Sequence, residues 1–255
     1  MKYQFITKVI LDFDRNVNFT DQWYGLLLNP FFINRTRLYY QVSQFSKRIK
    51  LDGNVLDVGC GVKPYQHLFS SQKYLGIDIK GGGLEDSIKR VDNIFDGKKI
   101  PYPSNKFDAV MATEVLEHVE DPLGLLTEMR RVLKPQGKLF LTMPFIWPEH
   151  GIPYDFQRYT SFKLNKILLQ LNFRSVSVFK TSGVFATCGQ LISDFFYSRI
   201  RLLIKKLHLT LIFSYFLDKI LVLMVCFPIN VVFLVLEKIF GSQGAPLGHV
   251  VFSEK

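Results

Sequence analysis

The period of the apolar positions changes along the chain. In the segment Arg35–Ile49 they fall at Leu38, Val42, Phe45 and Ile49, a spacing that predicts a helix. This helix closes an aromatic-rich lead-in over residues 1–50. From residue 53 short apolar runs take over. Strands are predicted over Asn54–Val58, Lys73–Ile79, Arg90–Ile94, Phe107–Thr113 and Lys138–Met143. An amphipathic helix over Pro122–Leu133 stops before Pro135-Gln136-Gly137. A helix over Phe162–Leu171 and a strand over Ser175–Phe179 follow. Short apolar strands separated by helices predict an α/β fold whose parallel sheet is covered on both faces.

From Gly183 to Phe240 the pattern is helical and strongly apolar. The block Ile220–Leu236 has 17 residues and no charge, with Pro228 and Asn230 inside it and Lys219 and Glu237 at its ends. A last strand is predicted over His249–Ser253. The expected organisation is therefore a lead-in over 1–50, an α/β domain over 51–182 and 245–255, and an apolar helical insertion over 183–244.

Composition narrows the class. Of 255 residues, 48% are apolar and 21% charged, values of a globular chain and not of a disordered one. The three cysteines, Cys60, Cys188 and Cys226, are far apart and form no CxxC or Cys/His cluster. A disulfide framework and a structural zinc site are both disfavoured, no metal is expected, and a reducing compartment is. At the start of the chain, the apolar stretch Phe5–Leu11 is short and is followed by Asp12 and Asp14, so no cleavable signal is expected. A formal charge of +10 allows nucleic acid, an anionic membrane or an anionic substrate as partner.

The strongest chemical signal is Val55-Leu56-Asp57-Val58-Gly59-Cys60-Gly61. A buried strand ending in two close glycines lets a ligand approach the backbone, whose N–H groups can contact a nucleotide. Asp78 ends the next strand, where an acid accepts hydrogen bonds from a ribose diol. A dinucleotide dehydrogenase competes for this pattern, but Pro64 stands where its third glycine belongs. Asp57, two residues before the first glycine, suits a ligand with a positive end better than a diphosphate.

With these residues in place, the chain resembles the class I S-adenosylmethionine-dependent methyltransferases, in particular the type 11 subgroup that includes quinone-biosynthesis enzymes. Leu56–Gly61 is similar to their first motif. The likeness continues through Ile100–Val110, Glu114–Val119 and Arg131–Gly137. A departure is Lys63, where many members carry a third glycine or a small residue. The resemblance implies a seven-stranded Rossmann-like sheet, mostly parallel with an antiparallel last strand, and S-adenosyl-L-methionine as cofactor. It implies that Asp57, Gly59, Cys60 and Gly61 line the methionine and ribose side and that Asp78 binds the ribose hydroxyls. Asp92, ending the third predicted strand, would face adenine, with Asp96 as the alternate. Thr113 and Glu114 would end the fourth strand, where methionine and acceptor meet. Asp96 and Glu117 read equally well as solvent-exposed residues, and His118, one turn into a helix, as a polar surface residue.

A second motif follows the fifth strand: Pro144–Thr160, containing His150, Asp155, Arg158 and Tyr159. It resembles the HxxPxDFxRYT segment of methyltransferases found among bacterial surface-polysaccharide genes. His150 is the candidate base, oriented by Asp155, with Arg158 and Tyr159 beside them. The competing reading makes Asp155 and Arg158 a local ion pair and Thr160 a helix cap. The insertion between the last two strands reads as helices at an anionic membrane surface, or as buried helices over the site or in a dimer interface. The expectation is a methyltransferase on the cytoplasmic side of a membrane, acting on a small or lipid-linked acceptor such as a glycan or lipid precursor. A quinone-type ring methyltransferase is the alternative. A nucleic-acid methyltransferase is disfavoured by scattered basic clusters, and a non-catalytic module by the intact Asp57, Gly59, Gly61 and Asp78.

Overall fold

The computed structural model describes residues 24–81, 85–206 and 210–255. The N-terminal stretch around Phe5–Leu11 lies outside them. The chain divides into two compact units.

The first unit is Gln41–Thr181 with Gly248–Lys255. It holds a seven-stranded sheet: β1 (Asn54–Val58), β2 (Lys73–Ile79), β3 (Asn93–Phe95), β4 (Phe107–Thr113), β5 (Leu133–Pro144), β6 (Arg174–Lys180) and β7 (Gly248–Glu254). The spatial order is β3-β2-β1-β4-β5-β7-β6. β1 pairs parallel with β2 and β4, and β5 parallel with β4, whereas β7 runs antiparallel between β5 and β6. The fold is the expected Rossmann-like sheet with a reversed last strand. The strands align with the apolar runs except β3, which starts at Asn93 rather than Arg90, and β5, which starts at Leu133 and runs through Pro135-Gln136-Gly137 rather than starting at Lys138.

Side-chain alternation along the strands separates two cores. Leu139, Leu141 and Met143 of β5 pack with Leu125 and Met129 of helix α3 (Pro122–Val132) and with Leu164 and Leu168 of α4 (Ser161–Gln170). The intervening Phe140 stacks on Phe45 at 4.9 Å, and Phe252 meets Phe140 edge-on at 5.2 Å. Phe45 belongs to α2 (Phe32–Ser46), whose predecessor α1 is Tyr24–Leu28. The helices begin where capping chemistry dictates. Asp121 accepts from the Gly124 N–H at 2.9 Å with Pro122 next in line, and the Thr160 hydroxyl accepts from the Lys163 N–H at 3.2 Å.

The second unit groups residues up to Tyr40 with Ser182–Leu247. Its helices are α5 (Val184–Lys206), α6 (Leu211–Leu221) and α7 (Phe227–Phe240), the last two joined by a π-helical turn over Val222–Cys226. That turn is the answer to Pro228. A proline ring collides with the carbonyl four residues back in an α-helix, and one wide turn gives it room. The apolar helix therefore runs through Phe213–Phe240. The polar groups of this segment are used inside the unit. Asn230 is buried, and its Oδ1 accepts from the Ser193 hydroxyl at 3.0 Å, while its Nδ2 has no hydrogen-bond partner among the described residues. Glu237 is buried, pairs with Arg37 at 2.7 Å and accepts from the Ala186 N–H at the start of α5 at 2.7 Å.

Candidate active site

The loop after β1 is built from two glycines in the left-handed region, Gly59 with φ +71° and Gly61 with φ +49°. A Cβ on Gly59 would also sit 2.5 Å from Val115 Cγ2, so no other residue fits there. The Gly61 N–H donates to Asp78 Oδ2 at 2.8 Å, which ties the loop to the end of β2. Asp78 Oδ1 accepts from the Ile79 N–H at 2.7 Å. Both oxygens keep lone pairs for further donors.

Asp57 is 1% exposed. The Tyr74 hydroxyl donates to its Oδ2, and Oδ1 has no partner within the protein. Burial, joined by the charge of Asp78 and opposed by the Tyr74 hydrogen bond, pushes the Asp57 carboxyl up to about 7. Burial and the Asp57 charge hold the Tyr74 hydroxyl protonated as its donor. Tyr74 carried no motif. Its signal is the parallel register, which sets Val55 opposite Tyr74 and Asp57 opposite Gly76.

Lys63 explains both its own departure and Gly76. It keeps the glycine-like backbone, with φ +53°, and its ammonium pairs with Asp92 at 2.5 Å while lying over the Tyr74 ring. A Cβ on Gly76 would stand 2.5 Å from Lys63 Cε and 2.6 Å from Cys60 Sγ. Asp92 also accepts from the Gly76 N–H at 2.6 Å. Because β3 begins at Asn93, Asp92 precedes that strand and does not end it. The acid at the carboxyl end of β3 is Asp96, exposed, which accepts from the Lys98 and Lys99 N–H groups at 2.8 Å each.

At the end of β4, Thr113 lies opposite Thr142 of β5, and Glu114, with φ +54°, donates its N–H to the Thr142 carbonyl at 3.1 Å. The chain then turns through Leu116–His118. Glu117, read from sequence as equally suited to the surface, is fully buried with neither carboxylate oxygen partnered. Burial, then the charge of Glu114, raises its pKa well above the usual carboxylate range. The loop after β5 returns to this turn. The Phe156 N–H donates to the Glu117 carbonyl at 2.8 Å, and Gln157 Nε2 to the Val119 carbonyl at 2.7 Å. His150 is thereby brought to His118, ring centroids 4.7 Å apart. The sequence placed His118 on a polar surface. The structure makes it part of this group.

Asp155 and Arg158 form a two-pronged pair, at 2.5 and 2.8 Å, which holds the Asp155 carboxyl far below its ordinary range. Asp155 Oδ2 also accepts from the His150 N–H at 2.9 Å and lies 3.3 Å from His150 Nδ1. The same carboxylate thus braces the loop and orients the imidazole. Burial, then His118, lowers the His150 pKa, so the ring is neutral at pH 7. Tyr159 donates to Gln157 Oε1, and burial raises its pKa.

A sequence-family profile for a methyltransferase domain matches residues 34–178, more than half of the chain. The chain belongs to this methyltransferase family. It is 36% identical over 127 residues to a ubiquinone biosynthesis O-methyltransferase of Xanthomonas oryzae pv. oryzae, covering 43% of this chain and 49% of that protein. The chain spans about half the length of that curated relative. The fold is similar to a SAM-dependent methyltransferase of Archaeoglobus fulgidus, with TM-score 0.52, 17% identity and coverage of 92% and 100% of the two chains. It is also similar to phosphoethanolamine N-methyltransferase 2 of Haemonchus contortus in complex with S-adenosyl-L-methionine. There the TM-score is 0.53, the identity 14%, and the coverage 96% of this chain and 60% of that one.

The cofactor implied for the methyltransferase is S-adenosylmethionine, and the residues present fit it. A buried carboxylate with one orphaned oxygen suits a cationic amino group, and the glycine loop exposes backbone at the same strand edge.

Proposed function

We infer that the protein is an S-adenosylmethionine-dependent methyltransferase that works on a lipid-linked acceptor, a glycan or lipid precursor, at the cytoplasmic face of a membrane. In this reading Asp57 Oδ1 takes the amino group of the methionine end, with Gly59, Cys60 and Gly61 around it. Asp78 takes the ribose hydroxyls, and Asp96, rather than Asp92, faces adenine. The cofactor supplies a methyl already activated on a sulfonium. The protein's part is alignment of acceptor and methyl, which is worth roughly 7–11 kcal/mol of barrier in favourable cases. Thr113, Glu114 and the His118/His150 group, oriented by Asp155 and Arg158 with Tyr159 beside them, form the acceptor end. They sit beyond the carboxyl ends of β4 and β5, where open α/β sheets bind ligands.

One observation carries the membrane part. The helix Phe213–Phe240 contains an 18-residue window with a mean hydropathy of 2.6, yet only 28% of that window is buried inside the protein. Phe213, Phe216, Ile220 and Leu223, then Val232, Val235 and Ile239, are exposed at helical spacing. Phe195, Leu202 and Leu203 of α5 are exposed as well. Apolar stripes of this extent on one unit call for lipid. Arg199 and Lys206 on the same unit favour anionic headgroups. The similarity to a ubiquinone-pathway O-methyltransferase favours a quinone ring, itself lipid-borne, as the second acceptor class.

Vesicle flotation tests the assignment. The intact protein should float with anionic vesicles and less with zwitterionic ones, and a Phe213→Ser/Phe216→Ser/Ile220→Ser variant should stay at the bottom. An intact chain that remains monomeric and unbound without detergent refutes the membrane reading. Absence of S-adenosylmethionine binding in calorimetry refutes the enzymatic one.

A further inference from the structure

Glu117 and His118 stand side by side on the turn after β4, His150 lies on the loop after β5, and the two strands bring them to one point. We propose that they form a binding site for one borderline divalent cation of the zinc class, which, resting on the acceptor-end reading above, would hold an acceptor oxygen.

The geometry is that of three lone pairs aimed at each other. His118 Nδ1 lies 2.5 Å from the Tyr154 carbonyl, so Nδ1 carries the proton and Nε2 the lone pair. His150 Nδ1 lies 3.2 Å from the Pro148 carbonyl and 3.3 Å from Asp155 Oδ2, with the same consequence. The two Nε2 atoms stand 3.7 and 3.8 Å from Glu117 Oε1. Glu117, 0% exposed, has no partner on either oxygen. A cation held between Glu117 Oε1 and the two Nε2 atoms would give this buried carboxyl the partner that it lacks within the protein.

Distances and outer contacts agree. The three ligand atoms all lie within 4.8 Å of one another. Bonds of about 2.0–2.2 Å to a tetrahedral zinc place ligand atoms roughly 3.4 Å apart, so the two Glu117–His pairs need shifts of a few tenths of an ångström and the widest pair needs up to about 1.4 Å. Metal-binding histidines typically donate their other ring N–H to a carbonyl or carboxylate, as both rings do here. Gly151, with φ +64°, lets the loop close on His118, since a Cβ there would lie 3.1 Å from the ring. Two imidazoles and one carboxylate leave a coordination position open, and an oxygen bound there would lose its proton more readily.

Equilibrium dialysis and cobalt spectroscopy on the full chain test the site. After chelation, the protein should take up one equivalent of Zn2+ or Co2+, and the cobalt form should show visible ligand-field bands. Glu117→Gln, His118→Asn and His150→Asn should each weaken uptake at least 100-fold and abolish those bands, whereas Asp96→Asn should change neither. S-adenosylmethionine binding, followed by calorimetry on the same samples, should persist in all three site variants and reports that they are folded. A wild-type protein that binds neither ion below millimolar concentration overturns the proposal, as does uptake that the site variants leave intact. Loss of cofactor binding in the wild type would instead overturn the enzymatic reading.

Discussion

The buried Asp57 predicts that cofactor affinity depends on pH in the neutral range. Its folded pKa is about 7, against 3.8 for an ordinary aspartate, because burial disfavours the charged form. An ammonium group at the vacant lone pairs of Oδ1 needs the carboxylate ionised. From pH 7.5 to 5.5 the ionised fraction of a group with that pKa falls about 20-fold, so affinity should fall by roughly the same factor. Asp57→Asn should bind weakly at pH 7.5 and show no such slope. Stability of the ligand-free chain provides the second measurement. A carboxyl whose pKa rises on folding contributes stability that is whole below the unfolded value and is lost as pH climbs through about 7. Three pKa units amount to about 4 kcal/mol as an upper bound. The difference in unfolding free energy between wild type and Asp57→Asn isolates this group from all others, and should change in favour of the variant between pH 4 and 8. Calorimetry across pH 5.5–7.5 decides the matter. A flat wild-type affinity, or a variant that reproduces the wild-type slope, removes Asp57 from contact with the amino group.

Other outcomes follow from single contacts. Asp78→Ala should weaken S-adenosylmethionine binding by about 1.5–3 kcal/mol for each charge-assisted hydrogen bond lost, read by calorimetry. Asp96→Ala should lower cofactor affinity while sparing the melting temperature, whereas Asp92→Ala, which strands the enclosed Lys63 ammonium, should lower the melting temperature more than the affinity. Gly76→Ala should cost about 1–3 kcal/mol in denaturant unfolding, because the Cys60 side chain has nowhere to move. Glu237→Leu should destabilise the helical unit by about 3 kcal/mol, since Arg37 and the first N–H groups of α5 lose their shared carboxylate.

The sheet was legible because strands buried on both faces leave continuous apolar runs, and β1, β2 and β4 match those runs to the residue. Gly59, Gly61 and Asp78 were legible for a similar reason. A backbone that must turn left-handed beside a ligand, and an acid at the next strand end, are local requirements that a sequence displays directly. β3 was blurred because it has three residues, half-exposed or exposed, and little pattern to show. The wrong acid was assigned to its end for that reason alone. The π-turn before Pro228 lets one continuous helix run through the proline, an accommodation that depends on backbone hydrogen bonding rather than residue type. Glu117 and His118 gave no sign of burial, because nothing nearby in sequence covers them. The cover is the loop carrying His150 and Phe156, delivered by β5 from far along the chain. Tyr74 reaches Asp57, and Lys63 reaches Asp92, by the same long-range logic. Periodicity and turn chemistry, being local, determine the elements. Burial of a charge depends on what folds over it, and only the tertiary structure decides that.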